Sequence, residues 1–147
     1  MTAAQSDLVG AAFEMALAAH GRQTDRAGQL YIGHVARVTA RLDNPRDQVV
    51  ALLHDVVEDT DVTLDEIAAR FGEGVAHSVG CLTHPENEAL EDYIARVASD
   101  DCAVRVKLAD LDDNDDDARL ALLPEETRVR LKEKYRRSRV LLEQARG

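Results

Sequence analysis

The segment Val49-Val50-Ala51-Leu52-Leu53-His54-Asp55-Val56-Val57-Glu58-Asp59-Thr60 constrains this chain more than any other. At about 100° per residue, Val49, Val50, Leu52, Leu53, Val56 and Val57 fall on one broad side. His54, Asp55, Glu58 and Asp59 fall on the other, with His54 stacked on Glu58 and Asp55 on Asp59 at i, i+4 spacing. The pattern predicts a helix with a buried stripe, opened by Asn44 as N-cap and Pro45 at N1 and running to about Thr60. Its acids then stand at the C-terminal end, where the dipole is already negative and each charge costs roughly 0.3–1 kcal/mol. Two readings follow. Either these acids simply face water, or they and His54 face a divalent cation that reverses the sign of every unfavourable term.

The rest of the chain also reads as helix. Apolar positions recur at helical spacing over about Asp7–His20 with Ser6 as N-cap, Tyr31–Leu42, Glu73–Leu82, Asn87–Ala98 and Asp100–Asn114. Thr63-Leu64-Asp65-Glu66 is a capping box for a short helix stopping at Phe71-Gly72. Pro124 starts a last, charged helix. Gly21 to Leu30 reads as a loop, and no alternating strand pattern or internal repeat occurs. With 147 residues, no Trp and only 3% aromatics, the core must come from Ala, Leu and Val. The expectation is an all-α, compact single-domain helical bundle over residues 1–147, with 124–147 as a C-terminal charged helix.

A formal charge of −10 argues against nucleic acid or an anionic membrane as partner. Cys81 and Cys102 fit neither a disulfide framework nor a CxxC metal motif, and read as small core residues. No signal-peptide layout or membrane-length apolar run is present, so a cytoplasmic location is expected.

A metal centre needs ligands from more than one helix. His34 follows Tyr31 by three residues, and Asp110 follows the apolar run Val104-Arg105-Val106-Lys107-Leu108-Ala109. Lys107, Asp110 and Asn114 share one face. Each residue alone reads as readily as a core histidine or a cap; together with His54-Asp55 they form a joint pattern. His20 is expected to be structural, and His77 and His84 lack partner spacing for metal binding. The basic run in the last helix is expected to pair with the acidic remainder of the chain.

These residues carry a resemblance to the HD superfamily, and within it to the hydrolase domain of RelA/SpoT-type enzymes, most of all the stand-alone small alarmone hydrolases. The matching text is Ala19-His20, Gln23, Gly28, Tyr31-Ile32-Gly33-His34, Ala51-Leu52-Leu53-His54-Asp55-Val56-Val57-Glu58-Asp59-Thr60, Phe71-Gly72, and Val106-Lys107-Leu108-Ala109-Asp110 with Asn114. It runs in order over roughly the first 115 residues. The resemblance implies an HD-type fold in which His34, His54, Asp55 and Asp110 bind one Mn²⁺. It also implies that Glu58 and Asp59 form a catalytic acid pair, and that Lys107 and Asn114 line the nucleotide site with Tyr31 supporting His34. The implied reaction removes pyrophosphate from the 3′ position of (p)ppGpp to give GDP or GTP.

The chain departs from that pattern in three places. Asp25 stands where the family carries an arginine that helps hold the base, and Arg26 is the expected replacement. Leu111-Asp112-Asp113-Asn114-Asp115-Asp116-Asp117 replaces a stretch that often has His before Asn, which predicts an acidic pocket edge repelling polyphosphate. The 83–100 segment is short, with Arg96 as the candidate for a missing phosphate-binding lysine. The alternatives are an HD phosphatase acting on another nucleotide, a non-catalytic nucleotide sensor, and a helical interaction module. A homo-oligomer is compatible with each. No synthetase domain is expected after Asn114.

Overall fold

The computed structural model describes residues 1–147 as ten helices and no strand. They are α1 (Ala3–His20), α2 (Tyr31–Ala40), α3 (Pro45–Leu53), α4 (Val56–Asp59), α5 (Leu64–Phe71), α6 (Glu73–Leu82), α7 (Leu90–Ala98), α8 (Asp101–Asn114), α9 (Asp117–Leu120) and α10 (Glu125–Arg146). Helix α3 is central and packs on α1, α2, α6 and α8. Val49 to Leu53 are all buried, as its apolar stripe requires. They belong to a core of 26 buried residues built chiefly from Val, Leu and Ala.

Helix α1 begins earlier than its apolar spacing predicts. Thr2, not Ser6, is the N-cap, and Thr2 and Gln5 form a reciprocal capping box. Asn44 caps α3 as expected, its side chain accepting from the Arg46 N–H. Gly72, at φ 99°, joins α5 directly to α6 through a backbone conformation that other residues rarely adopt.

The helix expected to run from Pro45 to Thr60 is instead broken at His54-Asp55. The break has a local cause. His54 Nδ1 lies 2.5 Å from the Ala51 carbonyl, which a continuous helix would give to the Asp55 N–H. Asp55 relaxes to φ −102°, ψ −3°, and the chain restarts as the single turn α4. Thr60 Oγ1 closes that turn by donating to the Val56 carbonyl at 2.7 Å.

Helix α10 packs through Leu131, Ser138 and Leu142, which are buried. Its cations reach back to the acidic run. Lys132 pairs with Asp117 at 2.8 Å, and Arg139 with Asp112 at 2.8 Å and Asp115 at 3.3 Å. No helix is long and apolar enough to cross a membrane. Both cysteines are free and buried.

One ion pair joins α3 to α8. Buried Asp47 accepts from Arg105 Nε at 2.6 Å and Nη2 at 3.0 Å. Burial raises the Asp47 pKa, but the Arg105 hydrogen bonds and charge outweigh it and hold the carboxyl below its usual value. A depressed carboxylate adds stability above its unfolded pKa of about 3.9 and loses it as pH falls through the folded value. Arg105 is half exposed, so Arg105→Met should cost about 1–2 kcal/mol near pH 7. The gap to the parent protein should close below about pH 4. Urea midpoints measured from pH 7 to pH 3 check both statements.

Candidate metal centre and adjoining pocket

Three helices deliver the residues singled out from the sequence. His34 comes from the buried side of α2, His54 from the break after α3, and Asp110 from the last turns of α8. One ligand atom from each lies within 4.8 Å of the other two. His34 Nε2 is 2.9 Å from Asp110 Oδ1, and His54 Nε2 is 3.6 Å from the same oxygen. Asp55 stands outside that group of three but beside it, with Oδ2 3.1 Å from His54 Nε2. Its carboxylate accepts from the Tyr31 hydroxyl.

Donors about 2.1 Å from one ion and at right angles stand about 3.0 Å apart, so these separations suit a single cation. The donor set is nitrogen and oxygen with no thiolate, which fits a divalent cation and not a cysteine-based structural zinc. His54 Nε2 is buried with no hydrogen-bond partner. Because Nδ1 is committed to the Ala51 carbonyl, a neutral His54 aims its lone pair from Nε2 into the site. Burial opposes a charge on His54, yet the Asp55 and Asp110 carboxylates outweigh it and raise its pKa well above the ordinary histidine value. His34 is raised in the same way, burial being overcome by Asp110 and Asp113. Without a cation these carboxylates draw protons onto the imidazoles, and a cation would displace them.

Around this centre the other candidate residues take distinct places. Lys107 Nζ and Asn114 Nδ2 each lie 3.3 Å from an Asp110 oxygen, and the Lys107 ammonium sits 5.2 Å from the Tyr93 ring centroid. Glu58 is at the rim, accepting from the His84 N–H. Partial burial above all, helped by the Asp55 and Asp59 charges, raises its pKa against the lowering by the His84 bond and the His54 charge. Asp59 is exposed and accepts from Gln23 Nε2 at 3.3 Å, with His20 Nδ1 3.6 Å away. Arg26 lines a cavity of about 350 Å³ together with Tyr31, His34, Asn114, Leu123 and Tyr135.

Two sequence-based expectations fail. Arg96 is no free phosphate ligand: it is consumed by Glu88 and by the Thr83 carbonyl at 2.6 Å. It packs the 83–89 loop so that His84 stacks on Tyr93. The acidic pocket edge is also not a bare anionic rim. Asp113 is 1% exposed and holds His34 Nδ1 at 2.6 Å, Arg37 Nε at 2.8 Å and Arg119 Nη1 at 2.7 Å. Burial opposes the charge on Asp113, and these partners nevertheless hold its pKa down to about 2. Sequence reasoning missed Asp113, Arg37 and Arg119. The signal available was the i, i+3 placement of Asp110 and Asp113, which puts both carboxylates on the helix face that meets α2.

No family model matches the chain. It is 39% identical over 115 residues to the guanosine-3′,5′-bis(diphosphate) 3′-pyrophosphohydrolase of Aquifex aeolicus, a match covering 70% of this chain and 16% of that protein. It is 40% identical over 100 residues to the guanosine-3′,5′-bis(diphosphate) 3′-pyrophosphohydrolase MESH1 of Mus musculus, covering 60% of this chain and 56% of that one. The chain thus spans just over half the length of the murine relative and a small part of the bacterial one. A solved structure of a metazoan ortholog of SpoT, described as hydrolysing ppGpp, superposes with a TM-score of 0.72 at 25% identity, covering all of this chain and 88% of that chain. In sequence over most of its length, and in fold over all of it, this chain is similar to proteins named or described as hydrolases of guanosine-3′,5′-bis(diphosphate).

Proposed function

We propose that the chain is a Mn²⁺-dependent phosphohydrolase that removes the 3′-pyrophosphate from (p)ppGpp, giving GDP or GTP. The observation that carries the reading is the meeting of His34, His54 and Asp110 at one point, with Glu58 and Asp59 on the turn beyond. The relatives' names and the superposed fold support the substrate class.

His34, His54 and Asp110 would hold the ion, with Asp55 as the fourth donor. A bound divalent cation supplies Lewis acidity, making water at the site more acidic and offsetting phosphate charge. Glu58 is suited to hold and return a proton because its pKa is raised. Asp59, steadied by Gln23, orients the attacking water by accepting its hydrogen bond. Asn114 spends its amide N–H on Asp110, which leaves its carbonyl oxygen to accept from a ribose hydroxyl. Arg26 and Lys107 meet phosphate oxygens as cations. Lys134 on α10 stands close enough that the Lys107 and Arg26 charges, after burial, lower its pKa, so it adds to the positive potential there. Tyr135, Leu123 and Leu131 offer the apolar wall a purine requires.

Purified protein with Mn²⁺ and a panel of nucleotides tests the reading. The expected result is pyrophosphate release from ppGpp, lost in Asp55→Ala and Glu58→Ala. Phosphate release from a different nucleotide would instead select another HD phosphatase activity, to which Asp25 in the cavity wall lends weight. Metal uptake without turnover of any nucleotide would mean a sensor.

A further inference from the structure

Two positions at which the chain carries an unexpected acid, Asp25 and Asp113, converge on one guanidinium. Arg119 Nη2 donates to Asp25 Oδ2 at 2.9 Å. Arg119 Nη1 donates to Asp113 Oδ2 at 2.7 Å and to the Asp113 carbonyl at 3.1 Å. All three side chains are largely buried. Arg119 is itself pinned from both sides. Asp116 caps α9 by accepting from the Arg119 N–H at 3.0 Å, and the next residue, Leu120, is buried.

Each end of this bridge leads to a different half of the site. Asp25 Oδ1 accepts from the Ala27 N–H at 2.9 Å and the Gln29 N–H at 3.0 Å, so it sets the shape of the loop that presents Arg26 to the cavity. Asp113 holds His34 Nδ1 at 2.6 Å, which fixes the ring that aims Nε2 at Asp110. A carboxylate behind a ligating histidine orients the ring and raises its basicity. A planar fork presents donors in fixed directions to carboxylates on two different elements and so fixes their relative placement; a lysine offers a point charge with no such directionality.

We infer that Arg119 is a positioning residue that fastens the nucleotide-pocket loop to the metal-ligand helix, so that pocket shape and metal grip depend on one side chain. The inference rests on the reading above for the identity of the pocket's occupant. It makes Arg119 the point where the two functions of the site are coupled: Arg119 is part of the cavity wall, but its Nη1 and Nη2 groups are spent on Asp113 and Asp25. Arg37 shares the Asp113 end alone, through Nε at 2.8 Å, and so separates the two roles.

The test is direct titration of Mn²⁺, followed by the electron paramagnetic resonance signal of the free ion, and calorimetric titration of GDP. Both use the full chain, with circular dichroism to establish that each variant is folded. Arg119→Met should weaken Mn²⁺ binding about tenfold, the low end for loss of an outer partner, and should weaken GDP binding by a similar factor. Arg37→Met should weaken Mn²⁺ binding and leave GDP affinity within twofold. Asp25→Asn should weaken GDP binding and leave Mn²⁺ affinity within twofold. Arg119→Lys should fall between parent and Arg119→Met in both titrations, and carries the test should the methionine variant not fold. A folded Arg119 variant with both affinities unchanged, or with only one of the two reduced, overturns the inference. Because both readouts are equilibrium binding, they decide the matter even if ppGpp is not hydrolysed.

Discussion

Asp110→Asn is expected to abolish metal uptake and hydrolysis together while leaving the helices formed. Asp110 is the hub of the centre: His34 Nε2, Lys107 Nζ and Asn114 Nδ2 all lie within 3.3 Å of its oxygens, and His54 Nε2 is 3.6 Å away. Burial opposes its charge, yet the Lys107 ammonium and the two histidines hold its pKa well below the carboxylate range. It is therefore an anion at neutral pH, and the amide keeps its shape while removing that charge. Mn²⁺ affinity should fall by more than about 100-fold, beyond the loss caused by removing an outer partner. Loss of metal assistance is worth several kcal/mol in the transition state, so turnover should fall by about 10³-fold or more. Calorimetric titration of Mn²⁺ and initial rates of pyrophosphate release measure the two effects. Retained affinity in a folded Asp110→Asn protein would remove Asp110 from the ligand set.

Glu58→Gln should separate metal binding from chemistry. Glu58 lies on α4, past the break, and contacts the 83–89 loop through the His84 N–H rather than through any ligand residue. The glutamine carbonyl can still accept that N–H, so the loop should stay in place. Removing a positioned general acid–base typically costs about 10²–10⁴-fold in kcat. KM and Mn²⁺ affinity should stay within about twofold. A fall in kcat below tenfold would show that the proton is handled elsewhere, with Asp59 as the remaining carboxylate on that turn. Parallel rate and titration measurements on the same preparation distinguish these outcomes.

Much of this architecture is readable from residue order because it depends on local rules. Asn44-Pro45, Thr63 and the Phe71-Gly72 stop mark helix ends through capping chemistry that acts within a few residues. His34, His54 and Asp110 stand out because each interrupts an apolar stripe, and the structure brings them to one place. What stays hidden is settled by tertiary partners. The break at His54 needs a side-chain bond to the Ala51 carbonyl, which helical periodicity cannot foresee. Asp113 looks like one of several solvated acids until α2 is placed against α8, when it becomes the buried carboxylate behind His34. Arg96 lies in the right stretch of chain to meet a phosphate, but Glu88, eight residues earlier, reaches it first.

The last helix has a consequence for how the protein responds to its medium. Lys132 and Arg139 act as a tethered counterion for Asp112, Asp115 and Asp117, and several of these contacts are open to solvent. Dissolved salt screens such contacts, with a Debye length of about 3 Å at 1 M against about 8 Å at physiological strength. As salt rises, the tether slackens, and the attraction of Arg26 in the cavity wall for a polyanion is screened at the same time. The buried centre is screened much less. Salt sensitivity in this protein should therefore show up in how it captures a ligand before it shows up in how the core holds together.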